Sequence, residues 1–86
     1  MPSDALKAVA RTHAAEIVSG KVTPATGARA IWIDVFYHLD PEDHCVDQFV
    51  YWADAIEDAE SNERRRFCES AIIRIANEFL RDNPGS

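Results

Sequence analysis

Residues 31–45 read IWIDVFYHLDPEDHC, and whether they form one helix or two decides the fold. Ile31, Trp32, Val35, Phe36 and Leu39, together with Ala28, fall on one broad face at about 100° per residue, the signature of a helix with a buried side. Asp40-Pro41 then interrupts the pattern. Proline disfavours the helical region for the residue before it, yet sits well at the first position of a new helix. The stretch therefore predicts a helix that ends near Leu39, a corner, and a third helix for which Asp40 serves as N-cap.

The same punctuation continues outward on both sides. Upstream, Ser3 is the expected N-cap of a first helix that stops at Gly20, and Thr23-Pro24 opens the second. Downstream, Ser61 caps a last helix that Asn83-Pro84-Gly85 terminates. The expected helices cover residues 4–19, 24–39, 41–59 and 62–82, and no stretch alternates strictly enough to compete as a strand. Short loops favour antiparallel neighbours, so the predicted fold is all-α, a compact antiparallel four-helix bundle in a single domain spanning residues 1–86. A helical hairpin pair that completes its core as a dimer is the alternative.

Each helix has an expected inward face. Leu6, Val9, Ala10, His13, Ala14 and Ile17 share one on the first, His13 as a hydrogen-bonded boundary residue. On the third, Cys45, Val46, Phe49, Val50, Trp52, Ala53 and Ile56 point inward. On the fourth, Phe67, Cys68, Ala71, Ile72, Ile75, Ala76 and Phe79 do so. Ile33 with Tyr37, and Ile73 with Leu80, are left over as apolar strips that suit self-association.

Composition narrows the function classes. A chain of 86 residues hides only roughly 60–65% of its unfolded surface, so its core is thin. The opening residues carry no uninterrupted apolar run for secretion, and no later run is long enough to cross a bilayer, which makes a cytoplasmic protein the expectation. The formal charge of −6 argues against direct binding of nucleic acid, which needs clustered Lys and Arg. Its acids are also segregated. Between Arg29 and Arg64 there is no Lys or Arg at all, while Asp34, Asp40, Glu42, Asp43, Asp47, Asp54, Glu57, Asp58, Glu60 and Glu63 fall inside.

Catalytic and metal readings find little support in spacing. His38, Asp40, Asp43, His44, Cys45 and Asp47 are all ligand types, but no CxxC or HExxH pattern orders them, and Cys45 is expected to face away from His44 and Asp47. Neither a metal nor another cofactor is expected. Cys45 and Cys68 would be offset by about 12 Å between antiparallel helices, too far for a disulfide, and are read as reduced structural thiols. The serines lie at caps, ends and surfaces, outside any nucleophile motif. Glu57 and Glu60 resemble the acidic pair of all-helical nucleotide pyrophosphohydrolases, but Glu78 and Asp82 have the wrong spacing for the second pair that family needs. The chain is expected not to be an enzyme, with a metal- or nucleotide-handling enzyme as the third reading.

Two charged features remain. Arg64-Arg65-Arg66 occupies the first turns of a helix, where the macrodipole disfavours cations; surface pairs with Glu60, Glu63 and Glu69 are the simplest expected compensation, and contact with an acidic partner or a second copy is the other. Asp43, Asp47, Asp54 and Asp58 line one outward strip with Tyr51 at its edge, and like charges at this spacing repel. That strip is the expected partner-binding surface, and its complement is a basic protein.

In size, charge and four-helix plan the chain resembles the nuclease-colicin immunity proteins, and small DNA-mimic proteins share the same physical logic. The resemblance implies an inhibitor or adaptor that covers the basic groove of a nuclease or another nucleic-acid-binding protein. It is architectural: the Tyr-Tyr-Pro contact motif of the immunity proteins is absent, and residues 37–41 read YHLDP instead, so no binding residue carries over. The rival expectation is a structural or regulatory module that self-associates, as a homodimer, through Ile33 and Tyr37 or through Ile73 and Leu80.

Overall fold

The capping residues of α1, Ser3–Ser19, and α2, Pro24–Asp34, show how local chemistry sets the first corner. Gly20 takes φ +79, a left-handed conformation that a side chain would resist, and its N–H donates to the Ile17 carbonyl at 3.2 Å. The Lys21 N–H reaches the Glu16 carbonyl at 3.0 Å, completing a Schellman C-cap. Thr23 Oγ1 accepts the Thr26 N–H at 3.2 Å, with Pro24 in the first turn of α2. Within α2, Gly27 lets α1 approach: a Cβ there would stand 2.7 Å from Ile17 Cδ1.

The computed structural model describes residues 3–84, with the side chain of Ser3 outside the described residues; the expected cap by Ser3 and the part of the C-terminal stop at Gly85 lie outside them too. Four α-helices and no strand occur among the described residues, and they form the antiparallel four-helix bundle read from the sequence. α1 packs on α2 and α4, and α3, Asp47–Glu57, packs on the same two helices. The fourth helix, α4, spans Asn62–Asp82 and is capped by Ser61 Oγ, which accepts the Arg64 N–H at 3.1 Å. One core joins them. Its largest fully buried members include Leu6, Ile31, Val35, Val46, Phe49 and Ile72. The Phe49 and Phe79 rings meet edge to face at 5.9 Å, a geometry in which the positive ring edge faces a negative ring face.

The second corner differs from expectation. α2 ends at Asp34, and Phe36–His38 form a single 3₁₀ turn, with the His38 N–H on the Val35 carbonyl. Asp40 does not cap α3. Its carbonyl accepts the Asp43 N–H at 2.9 Å, closing a turn with Pro41 at its second position, and Asp43 Oδ1 accepts the Cys45 N–H at 3.1 Å. Short acidic side chains that bond to nearby backbone compete with helix formation, and here Asp43 does so before α3 begins at Asp47. Val46 stands at the N-cap, where its hydrocarbon side chain can make no capping bond and is instead fully buried in the core.

Candidate functional site

The irregular corner leaves a groove of about 560 Å³ between the 3₁₀ turn and α3. Phe36, Leu39 and Val50 supply its apolar lining, and all three are half-buried. Tyr37 and Tyr51 flank it at 66% and 63% exposure, far above what a ring needed for the core would show. Asp40, Asp43 and Asp47 complete the wall, with His44 beside them. The arrangement is an apolar channel with an acidic margin, which can hold an apolar anchor and counter its flanking positive charges at once.

Electrostatics within the corner are mostly local. His44 Nδ1 and Asp47 Oδ2 are 2.7 Å apart, so part of the acidic charge is already engaged by a neighbour. Burial raises the Cys45 thiol to about 11, and the hydrogen bond and negative charge of Asp43 push it the same way. A thiol so raised stays protonated at neutral pH and is a poor nucleophile and a poor ligand. Among the described residues no three His, Cys, Asp or Glu side chains gather into a metal site. No helix among them is long and apolar enough to cross a membrane.

The residues singled out in sequence are thus divided. Asp43, Asp47 and Tyr51 meet at the groove, although Asp43 belongs to the turn before α3 and not to the helix. Asp54 and Asp58 are exposed further along, outside the groove lining, with Asp58 at the C-cap of α3. Ile33 and Tyr37 are exposed but no longer share a helix, since α2 breaks between them. Both line a smaller hollow of about 180 Å³ with Trp32 and the Arg29–Glu57 ion pair. On α4, Ile73 is exposed while Leu80 is half-buried and packs partly against the core.

Two corrections fall on α4 itself. Phe67, expected inside, is 57% exposed; it lies about 100° from Cys68, off the stripe that Cys68, Ile72, Ile75 and Phe79 bury. Its ring meets Trp52 at 5.8 Å, and Trp52 in turn meets Tyr51 at 5.1 Å. The arginines do not form the expected pairs with acids: among the described residues none of Arg64, Arg65 and Arg66 forms an ion pair, although Glu63 lines the same hollow as Arg64, and Arg64 Cζ sits 5.3 Å from the Phe67 ring centroid. By contrast His13 behaves as read. It bridges helices, with Nε2 3.0 Å from Asp34 Oδ2 and Nδ1 3.5 Å from Glu16 Oε1.

Fold and groove define a small acidic all-helical protein with an apolar, acid-edged surface channel. No family model, no curated protein and no solved structure matched the chain in the three comparisons.

Proposed function

We propose that this chain is a non-catalytic, cytoplasmic protein-binding module that covers a basic surface of another protein, as an inhibitor, immunity-type protein or adaptor. The observation that carries the reading is the groove: an apolar floor, two exposed tyrosines and three aspartates in one place. Aromatic side chains held in the open are efficient interface anchors, because they bring large contact area with few rotatable bonds. The acids around them and along α3 raise the encounter rate with a positive partner and select against negative ones. A nuclease, or another protein whose nucleic-acid groove is lined by Lys and Arg, has the matching chemistry.

The test is capture of partners from a lysate of the native host, followed by affinity measurement with the purified partner across ionic strength. Binding is expected to weaken steeply with salt and to disappear in the triple variant Asp47→Asn, Asp54→Asn, Asp58→Asn, with folding unchanged or slightly improved by relief of repulsion. Unaltered affinity in that variant would sink the proposal. Tyr51→Ala separates the anchor from the charge, since it leaves every carboxylate in place.

A further inference from the structure

The side chains of the arginine run are exposed and make no ion pair among the described residues. Arg64, Arg65 and Arg66 stand at the helix end where the macrodipole is least favourable to them. Beneath Arg64 lies Phe67, more than half exposed. A guanidinium over an exposed ring is a cation with an apolar anchor, which is the complement of the acid-edged groove. The two patches are neighbours: the groove includes Tyr51, and the ring contacts Tyr51–Trp52 and Trp52–Phe67 lead from it to Arg64.

We propose that this face joins two copies of the chain, with Arg64 and Phe67 of each copy seated on the groove of the other. A two-fold axis in the contact plane, at right angles to the line between the patches, exchanges them, so one operation satisfies both at once. Such a contact is isologous and closes as a dimer instead of propagating into a fibre. The phenyl ring meets the apolar floor at Phe36, Leu39 and Val50, and the guanidinium fork meets the carboxylates of Asp40 and Asp47. The inference rests on the reading of the groove as a protein-binding surface. It adds that the second copy and a basic partner compete for the same groove, so the dimer is the form that a partner must displace.

Sedimentation equilibrium of the full chain at low and high salt tests it. A dimer is expected at low salt, dissociating as salt screens the arginine contacts. Phe67→Ala is expected to raise the dimer dissociation constant about tenfold or more, while circular dichroism and melting stay near native because the ring is largely outside the core. Arg64→Glu and Asp40→Arg are each expected to be monomeric alone and to dimerise when mixed, since in the mixed pair one contact has both charges reversed and the other is native. A chain that stays monomeric at submillimolar concentration in low salt overturns the inference. So does a dimer indifferent to Phe67→Ala, or a mixture that fails to pair. Captured basic partner with a monomeric chain would leave the proposed function standing, whereas a dimer whose aspartates can be neutralised without loss of partner binding would remove that function and keep the dimer.

Discussion

The corner between α1 and α2 and the corner between α2 and α3 join helices of the same bundle, yet one is closed and the other open. The first has few residues, a left-handed glycine, a threonine cap and a second glycine that brings the helices together. The second runs through a 3₁₀ turn and two local turns held by aspartate side chain and backbone, and leaves half-buried aromatic and aliphatic residues facing a channel. Where each polar group is used for capping, packing can close. Where an acid bonds to its own loop, it competes with helix formation, and surface is left for another molecule.

The comparison is tested most severely on α3, whose residues serve both sides. Phe49 is 2% exposed and Tyr51 is 63% exposed, two positions apart. Phe49→Ala is expected to destabilise the fold by about 3–5 kcal/mol in denaturant unfolding, and Tyr51→Ala by no more than about 0.5 kcal/mol while weakening partner binding. Comparable losses for both would mean that the groove is part of the core. Gly27→Ala probes the closed corner. The added methyl meets buried Ile17, and a cost of about 1–3 kcal/mol is expected, visible as a lower melting temperature. A neutral result would show that α1 and α2 are less tightly packed than this geometry.

Caps separate the corners with a smaller effect. Ser61→Ala is expected to cost about 1 kcal/mol, since it strips the bond to the Arg64 N–H, whereas Asp40→Ala is expected to stay within about 0.5 kcal/mol. An equal loss for Asp40→Ala would restore that residue as a cap of α3. The gentlest test uses pH. The ordinary thiol value is 9.0 and that of Cys45 is about 11, so below pH 9 both folded and unfolded chains hold the proton and stability is fully present. Between pH 9 and 11 the unfolded chain loses it first, and stability is expected to fall through that window. Thermal melts of Cys45→Ala, which lacks the group, should show a shallower decline; parallel curves would mean that the thiol is not raised.

Much of the fold is legible because its signals are local. Thr23-Pro24, Gly20 and Ser61 act through bonds within a few residues, and the stripe Cys68, Ala71, Ile72, Ile75, Ala76 and Phe79 needs only helical spacing to be found. Asp40-Pro41 misleads for a related reason: the same pair suits a helix start and a β-turn, and only the burial of Val46 and the bond from Asp43 to the Cys45 N–H choose the turn. The site was half visible. Asp43, Asp47 and Tyr51 stand out as acids beside an aromatic, but Phe36, Leu39 and Val50 read as core because nothing along the chain says that the neighbouring segment fails to cover them.

What the amino-acid order determined by itself is the helical class, the number of helices, the caps at three of their ends and the sign of the exposed charge. Tertiary structure alone decided which apolar residues are left uncovered, that Phe67 lies outside beneath Arg64, and that ring contacts through Trp52 link Tyr51 of the groove to that pair. The reason is range. Capping and periodicity act over about four residues, whereas exposure is settled by segments distant in the chain that do, or do not, arrive to cover a side chain.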